Sequence, residues 1–288
     1  MSGQGKPLTG TELLRHEHVR MAHASLAKVV RTLKASGVFG TKITKADVEQ
    51  FAKEGCGHCE SARMQRRPFT ANACAPQAQL TESAEIGKYW VGDCLALRVP
   101  SAQDGFTYIY LARDKQSRLI FVTGMHGQDA EDIIRAREQL MSFVRPIHGE
   151  IWIQKHDSHP THRARKVSEF MADASQQDLL SPAHVHEGVG DAEVCFMHLV
   201  PVANALLMGA SDLGEAHFYS AFRTAVAASN YSLITGSSTH SAMMLYHKSD
   251  SWMPSPLHVY GSAVKSLVHP EARDGKFESH SEPAIYTG

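Results

Sequence analysis

The chain has 288 residues, which is enough for one large domain or two smaller ones with a sizeable core. A hydrophobic content of 43%, a charged content of 20% and a net charge of −1 are ordinary for a soluble globular protein, and they count against a strongly basic nucleic-acid binder. No run of apolar residues reaches membrane-spanning length and no signal peptide is evident, so we expect an intracellular protein with no membrane span.

The N-terminal part of the chain predicts a small helical unit. Residues 1–10 read as a disordered tail, and apolar residues then recur at steps of three and four through residues 11–53. The glycine-containing stretch Ser36–Gly40 interrupts this pattern. Thr44, followed three residues later by Asp47, predicts a capping box at the start of the helix that follows.

Four potential metal ligands lie in this helical unit, in the pattern H-x4-H-x32-C-x2-C: His18, His23, Cys56 and Cys59. Two histidines and two cysteines are a ligand set for tetrahedral Zn²⁺, and a bound metal would explain how so small a unit stays folded. The alternative is a pair of core histidines beside a chance C-x-x-C motif. An odd total of five cysteines argues against a secreted disulfide framework. The other three are isolated and read as buried hydrophobes or surface thiols: Cys74, Cys94 and Cys195.

The rest of the chain predicts an α/β core. Residues 70–86 are small, polar and without period, which is typical of a linker. We therefore divide the chain into a zinc-binding module at residues 11–69, a core at residues 87–230 and a C-terminal extension at residues 231–288. The periodicity predicts these core elements in order: strands Tyr89–Val99, Phe106–Ala112 and Leu119–Thr123, helix Ala130–Val144, strand Glu150–Gln154, helix Ala164–Ala174, strand Leu179–Ala183 and helix Ala192–Met208.

Three carboxylates fall at the predicted ends or edges of core elements. Asp93 lies in the first strand, Asp157 follows the fourth strand and Glu193 starts the last helix. Carboxylates from two strands and a helix are what a phosphoryl-transfer site needs to hold two Mg²⁺ or Mn²⁺ ions. Spacing alone is weak support, because the chain has 30 acidic residues. Asp93 taken alone could equally cap a turn, and Glu193 could be an ordinary acid at a helix N-terminus.

Several neighbours compete for a role at this site. Asp191 is the rival metal ligand. Residues two positions apart on a helix point to different sides, so Asp191 and Glu193 cannot both face the same site. Three histidines could bind a transition metal: His156, His159 and His162. Lys155, Arg163 and the basic run Arg63–Arg67 could contact phosphate, or they could simply be exposed to solvent.

Five stretches resemble the integrases of copia-type retrotransposons, and the resemblance extends from about Leu14 to the C-terminus. His18–Ser25 resembles the family's His-x-x-Leu-Gly-His-x-Ser motif. Glu54–Phe69 is similar to its Cys-x-x-Cys, basic run and Pro-Phe. Phe106–Arg118 is similar to its second strand and the Asp-x-x-Ser-Arg turn that follows it. The remaining stretches resemble the region that follows the family's core: Trp252–Gly261 and Ser281–Gly288.

The resemblance implies a fold, a chemistry and partners. The fold is a ribonuclease-H-like mixed five-stranded sheet with flanking helices, preceded by a small helical zinc-binding module. The activity is divalent-metal-dependent insertion of element DNA into target DNA, with Asp93, Asp157 and Glu193 as catalytic metal ligands and a structural zinc ion at the His/Cys group. DNA ends and target DNA are the implied partners, with homo-oligomers as the working form and the nucleus as the place of action.

The chain departs from the family at three places around the acidic residues. His156–His162 stands where the family has Ser-Asp-Asn-Gly-Gly-Glu-Phe, and His186–Glu193 replaces a Gln-Asn-Gly loop. Val194–His198 follows the glutamate, where the family carries basic residues. These departures leave an alternative open, in which the protein is a catalytically inactive remnant that binds nucleic acid or protein. A simple ribonuclease H is a weaker hypothesis, because that activity does not require the His/Cys module.

Overall fold

The computed structural model describes residues 8, 10–35, 43–59, 85–157, 159–180, 190–210, 212–234, 240–249, 260–267 and 281–287. The predicted tail at residues 1–10 and the predicted linker at residues 70–86 fall almost wholly outside these residues. The basic run Arg63–Arg67 and Cys74 also lie outside them.

Three helices form the N-terminal module: α1 (Gly10–Arg20), α2 (Leu26–Ala35) and α3 (Lys45–Glu54). The predicted capping box is confirmed, because the Thr44 hydroxyl accepts from the Asp47 backbone N–H at 3.2 Å and the Asp47 carboxylate accepts from the Thr44 backbone N–H at 2.8 Å. The module has a small apolar core of its own, made of five buried side chains: Leu14, Met21, Val29, Leu33 and Phe51.

The sequence pattern did not predict the break between α1 and α2. Ala22 and His23 both adopt left-handed backbone conformations, with φ of 50° and 53°. Such conformations are uncommon outside glycine, asparagine and aspartate, so this turn has no composition signal. The His23 backbone N–H donates to the His18 carbonyl at 2.7 Å, which closes the end of α1 and turns the chain back toward α2.

The core contains the predicted mixed five-stranded sheet. Its strands are β1 (Tyr89–Ala96), β2 (Tyr108–Asp114), β3 (Ile120–Met125), β4 (Ile153–His156) and β5 (Gln177–Leu180). Their order in the sheet is β3-β2-β1-β4-β5. β1, β2 and β3 form an antiparallel meander, whereas β4 and β5 add in parallel on the other side of β1. This order places β1 at the centre of the sheet and beside β4. The helices of the core are α4 (Ala130–His148), between β3 and β4, α5 (Arg165–Asp173), between β4 and β5, and α6 (Gly190–Gly209) and α7 (Phe218–Tyr231), after β5.

Helices cover both faces of the sheet. Because side chains alternate along a strand, Trp90 and Tyr110 face α4 and α5, whereas Val91 and Leu111 face α6 and α7. Each face has its own buried apolar cluster, so the core is a three-layer arrangement of helix, sheet and helix. The predicted ribonuclease-H-like fold class, with a helical His/Cys module in front of it, is confirmed.

The predicted start of β4 was wrong. The apolar run Glu150–Gln154 suggested the strand, but Trp152 is 52% exposed and pairing with β1 begins only at Ile153, opposite Tyr89. The Lys88 ammonium binds the carbonyl oxygens of His148 and Glu150, at 2.6 and 3.0 Å. The Trp152 backbone N–H donates to the Lys88 carbonyl at 3.0 Å, and the Trp152 carbonyl accepts from the Gln177 backbone N–H at 2.8 Å, so this residue leads into the paired strand. β4 ends at His156, directly before Asp157.

Two smaller boundary differences have local causes. α4 runs to His148 and so continues past its internal Pro146, until Gly149 ends it with φ of 69° and a backbone bond to the Arg145 carbonyl. The fifth strand was expected at Leu179–Ala183; the structure begins it at Gln177, where it pairs in parallel with β4 up to Leu180, and residues 181–183 lie outside the described residues.

The module and the C-terminal part both pack on the core. Arg31 of α2 donates to the Ile234 carbonyl at 3.3 Å, and the Thr32 hydroxyl accepts from the Leu233 backbone N–H at 3.5 Å. At the end of α6, Gly209 lies against the ring of His58, so that an added Cβ there would be 3.7 Å from that ring. The C-terminal elements are α8 (Ala242–His247) and an antiparallel hairpin of β6 (Ala263–Leu267) and β7 (Ser281–Ile285).

One helix in the described part of the chain is long and apolar enough to cross a membrane by length and composition. It is the Asp191–Gly209 stretch of α6, with a mean hydropathy of 1.5. In the structure this helix packs on β1, β2 and α7 and contributes Phe196, Leu199 and Leu206 to the core.

Candidate metal centres

The four predicted zinc ligands come together at one point of the module. The ligand atoms of His18, His23, Cys56 and Cys59 all lie within 4.8 Å of one another. His18 Nε2 is 3.3 Å from Cys59 Sγ and 3.2 Å from His23 Nδ1, and His23 Nδ1 is 3.4 Å from each sulfur. Within the described ranges this is the only such group of three or more metal-binding side chains.

These separations fit a tetrahedral zinc ion. Zn–N bonds of about 2.0–2.1 Å and Zn–S bonds of about 2.3 Å at tetrahedral angles place the ligand atoms roughly 3.3 to 3.8 Å apart. The two histidines use different ring nitrogens, Nε2 for His18 and Nδ1 for His23. The other nitrogen of His18, Nδ1, is 2.8 Å from the Ala24 carbonyl oxygen, so it carries the proton and leaves Nε2 as the free lone pair.

Local backbone geometry delivers each ligand. His18 lies in the last turn of α1, and the left-handed turn at Ala22 and His23 brings the second imidazole back over the first. α3 ends at Gly55, whose φ of 68° turns the chain into the C-x-x-C segment. Burial, together with His18 and His58 nearby, lowers the pKa of His23 to about 3, which keeps its imidazole neutral, as a metal ligand must be.

The three predicted catalytic carboxylates lie at one edge of the core. Asp93 is in the central strand opposite Leu111, Asp157 immediately follows β4, and Glu193 is in the first turn of α6. Burial, with smaller contributions from the charges of Asp157 and Glu193, raises the pKa of Asp93 to about 6, against a hydrogen bond from the Cys94 backbone N–H that lowers it. The three groups are therefore electrostatic neighbours, more widely spaced than the four ligands of the His/Cys group.

Oxygen donors of this type suit Mg²⁺ or Mn²⁺ rather than zinc, and a cation would relieve the repulsion that raises the Asp93 pKa. The parallel pairing of β1 with β4 runs to Val91 opposite Lys155, so Asp93 and Asp157 each follow that pair by two residues, and Glu193 lies in the first turn of α6. The donor set thus fits the ions that the sequence predicts.

Asp191, the rival acidic ligand, is occupied elsewhere. Its carboxylate forms an ion pair with Lys115 and lies 3.7 Å from Arg113, so it neutralises cations at the end of β2. Glu193 is exposed, and its charge contributes to the raised pKa of Asp93. This arrangement agrees with the expectation that the two acids point in different directions.

The histidines beside Asp157 belong to a buried polar network that the sequence analysis missed. Arg137 of α4 is fully buried and donates to Nδ1 of His156 at 3.0 Å and to Nδ1 of His162 at 3.3 Å. It also donates to Asp178 Oδ2 at 3.1 Å. His156 Nε2 in turn is 3.0 Å from the Tyr110 hydroxyl.

The donor pattern fixes the protonation of both rings. A guanidinium has no acceptor, so Nδ1 of His156 and of His162 must accept, and each neutral ring carries its proton on Nε2. Burial, the largest cause in each case, lowers the pKa of His156 to about 4 and that of His162 to about 2. The Nε2–H of His162 then faces Asp157 Oδ1, at 3.6 Å. The hypothesis that these histidines bind a transition metal therefore receives no support.

The backbone makes room for this network beside Asp93. Gly92 lies against it, and a Cβ at that position would be 2.6 Å from His156 Nε2 and 2.9 Å from the Tyr110 hydroxyl. The sequence did contain a signal for Arg137: it falls on the apolar stripe of α4, between Ile133 and Leu140, where only a partnered cation can be buried.

The remaining candidate residues within the described part of the core are two cations and two cysteines. Lys155 is half-buried, and its pKa is lowered by burial and by Lys115, whereas Arg163 is exposed. Cys94 and Cys195 are free thiols, and burial raises the pKa of Cys195 to about 11, which makes it unreactive.

The raised pKa of Asp93 predicts a stability change in the Asp93→Asn variant. Folding raises this pKa above the ordinary 3.8, so the wild-type protein loses stability from this group as the pH rises from about 4 to about 6. At pH 8, without added divalent ions, we expect Asp93→Asn to increase the free energy of unfolding by on the order of 1–2 kcal/mol.

Denaturant unfolding at pH 4 and pH 8 tests this expectation, with Asp173→Asn, an exposed acid at the end of α5, as the control. The gain should be smaller at pH 4. A destabilised Asp93→Asn protein at pH 8 would show that the three carboxylates do not repel one another.

Comparisons with known proteins bear on the fold. No protein-family model matches the chain, and no curated protein matches it. A chain in the structure of the simian T-cell lymphotropic virus intasome in complex with PP2A regulatory subunit B56 gamma is similar, with a TM-score of 0.50 and 12% identity. The match covers 87% of this chain and 88% of that one, so the two share a fold over most of their length.

Two integrase catalytic core domains are also similar. The HTLV-2 integrase core in complex with magnesium has a TM-score of 0.44 and 15% identity, and covers 56% of this chain and 97% of its own. The BIV integrase core has a TM-score of 0.42 and 14% identity, and covers 56% of this chain and 95% of its own.

Proposed function

We propose that the protein is an integrase-type polynucleotidyl transferase, related to the copia-type retrotransposon enzymes, which joins element DNA to target DNA. The observation that supports the proposal is that Asp93 in β1 has a pKa raised by burial and, to a smaller extent, by the charges of Asp157 after β4 and Glu193 in α6. Carboxylates that repel one another at a common site are typical of a cation-binding centre. The shared fold with the intasome chain supports the same conclusion.

Asp93, Asp157 and Glu193 would hold two Mg²⁺ or Mn²⁺ ions, which supply an activated attacking oxygen and a charge that stabilises the leaving oxygen. Asp93 must lose its proton to act as a ligand. Since its pKa is about 6, protons compete with the metal below that pH. We therefore place the working range of the enzyme above pH 6.

Cations of this chain surround the same edge. Lys155 pairs in register with Val91 on one side of β1, and Arg113 pairs with Val91 on the other. Lys115 lowers the Lys155 pKa, which places two ammonium groups close to each other near Asp191. Together these groups give a phosphodiester backbone positive partners beside the carboxylates, although the whole chain is nearly neutral.

The second candidate function is a catalytically inactive remnant that binds nucleic acid or protein. The observation that favours it is the surface of α6 next to Glu193, where Val194 and Met197 are 37% and 42% exposed. Apolar side chains on this helix provide no phosphate contact, and exposed apolar surface is more typical of a protein interface.

The partners, the cofactors and the place of action follow from the same proposal. We propose element DNA ends and target DNA as partners, a homo-oligomer as the working form and the nucleus as the site of activity. A structural zinc ion at His18, His23, Cys56 and Cys59 and two catalytic Mg²⁺ or Mn²⁺ ions complete the set of cofactors.

The Asp157→Asn variant tests the catalytic role directly. We expect the wild-type protein to nick or join labelled duplex DNA in Mn²⁺, and Asp157→Asn to reduce the rate at least about a hundredfold, because a neutral amide is a poor ligand for a hard cation. Asp173→Asn, a surface change of the same type on α5, should leave the rate unchanged.

The result separates the two functions. Equal rates for wild type and Asp157→Asn would mean that the activity comes from elsewhere, and the catalytic proposal would be dropped. DNA binding without any turnover, by a folded protein that retains one zinc per chain, would establish the inactive remnant.

A further inference from the structure

A cleft of about 550 Å³ separates the zinc module from the core. One wall is the turn between α1 and α2 together with Lys28, and the opposite wall is α6 with Leu199 and Ala205. The floor comes from β2, β3 and α7, and includes Arg113. This volume is far larger than one phosphate group and lies in the range of small-molecule sites, roughly 300–1,000 Å³.

Among the described residues that line the cleft, three side chains are Lys or Arg and none is Asp or Glu. Lys28, Arg113 and Arg118 reach it from α2, from β2 and from the turn after β2. Asp191 approaches Arg113 at 3.7 Å from outside the lining and neutralises only part of this charge. The cleft therefore has a positive potential, which favours an anionic occupant.

Lys28 is the most informative of these groups. Within the part of the chain that the structure describes, its ammonium makes no hydrogen bond or ion pair, and its nearest charged neighbour is another cation, Arg31. Burial, with a smaller contribution from Arg31, lowers the Lys28 pKa to about 8. A half-buried ammonium without a counter-charge is costly to keep, and an anion in the cleft would offset that cost.

The rest of the lining shows what else the occupant contains. Leu199, Ala205 and Ala225 form a smooth apolar wall, whereas Ser25 and Ser229 add hydroxyl groups. A free inorganic anion would leave the apolar wall uncovered, and an apolar molecule would leave the Lys28 ammonium without a counter-charge. A ligand with a phosphate, a sugar and a flat base satisfies all three parts of the surface.

We propose that the cleft between the zinc module and the core binds a phosphate-bearing nucleotide, either free or as the end of a nucleic-acid strand, with its phosphate on Lys28 and Arg113. The three carboxylates are not among the residues that line the cleft, although Arg113 borders both places, and binding in the cleft needs no divalent ion. Since its walls belong to both the module and the core, the ligand also fixes the two parts relative to each other. The inference does not depend on catalysis.

Calorimetric titration of the zinc-loaded full chain, without added divalent ions, tests the proposal. Deoxyadenosine monophosphate should bind at least about tenfold more tightly than deoxyadenosine, because the phosphate supplies the charge-assisted contacts. Lys28→Gln should remove that difference, whereas Lys28→Arg should retain it. Lys34→Gln, an exposed lysine on the same helix, should behave as wild type.

The two sources of the phosphate are separated by single-stranded oligonucleotides with and without a 5′-phosphate. Tight binding of the monophosphate indicates a free nucleotide, and binding of only the 5′-phosphorylated strand indicates a strand end. Equal affinity for deoxyadenosine and its monophosphate, together with equal affinity for the two strands, would overturn the proposal. Equal losses in Lys28→Gln and Lys34→Gln would overturn it as well.

Discussion

Replacing Cys59 with serine is expected to release the zinc ion from the N-terminal module and to unfold residues 10–59, while the core remains folded. The four ligand atoms lie within 4.8 Å of one another, so each ligand is needed for a closed tetrahedral site. A hydroxyl binds Zn²⁺ far more weakly than a thiolate, because the softer sulfur ligand suits this metal.

The size of the effect follows from how little else holds the module together. Among its described residues the apolar core consists of five buried side chains with smaller, partly buried neighbours, and two of the three described helices have ten residues each. Helices of that length are marginal alone. Structural zinc ions contribute about 10–16 kcal/mol of apparent binding free energy in small zinc-binding peptides, which exceeds the stability of most whole domains.

Zinc content per chain and amide NMR spectra of α1, α2 and α3 measure the outcome. His58→Gln is the matched control, because His58 lies between the two cysteines, is exposed and is not one of the four ligands. It should retain one zinc and a folded module. A Cys59→Ser protein that also retains full zinc and dispersed module signals would show that the metal site lies elsewhere.

The sequence supports the ligand set and the order of core elements for clear physical reasons. Strand and helix periodicities are local, so the meander of β1 to β3 and the helix α4 can be predicted from residues that are close in sequence. The start of β4 is different, because it depends on the pairing with β1, which begins at Ile153 opposite Tyr89. The apolar run Glu150–Gln154 does not encode that register.

The same distinction applies to the candidate sites. Asp93, Asp157 and Glu193 could be proposed from their positions within a strand, after a strand and at a helix start, whereas the partners of the buried Arg137 could not be predicted from the sequence. Arg137, His156 and Asp178 come from three separate elements, and only the fold brings them together. The cleft at Lys28 depends likewise on how the module docks on the core.

The Arg137→Met variant is expected to destabilise the core strongly. Arg137 is fully buried and serves Asp178, His156 and His162 at once, so its loss leaves a largely buried carboxylate and two ring nitrogens without their donor. Breaking a buried ion pair from one side typically costs about 3–5 kcal/mol. For a core of this size the thermal midpoint should fall by roughly 10 °C.

Denaturant unfolding compares this variant with Arg135→Met. Arg135 is on the same helix and pairs with Asp132, but its side chain is 62% exposed, so its removal should cost at most about 1 kcal/mol. The double variant Arg137→Met with Asp178→Leu should be less destabilised than Arg137→Met alone, because it removes the orphaned charge. Similar small losses in Arg135→Met and Arg137→Met would contradict the buried network.

The network also gives the core a pH dependence of defined sign. The pKa of His156 is lowered to about 4 and that of His162 to about 2 in the folded protein, below the ordinary value of 6.5. The unfolded chain therefore binds more protons, and wild-type stability should fall as the pH drops below about 6.5.

In Arg137→Met the guanidinium no longer opposes protonation, so the His162 ring gains a proton more readily and pairs with Asp157. Nitrogen-15 spectra of the two imidazoles should show neutral Nε2–H rings at pH 6 in the wild type. A charged His162 at pH 6 in wild type would contradict the tautomers assigned from Arg137, and with them the neutral donor that faces Asp157.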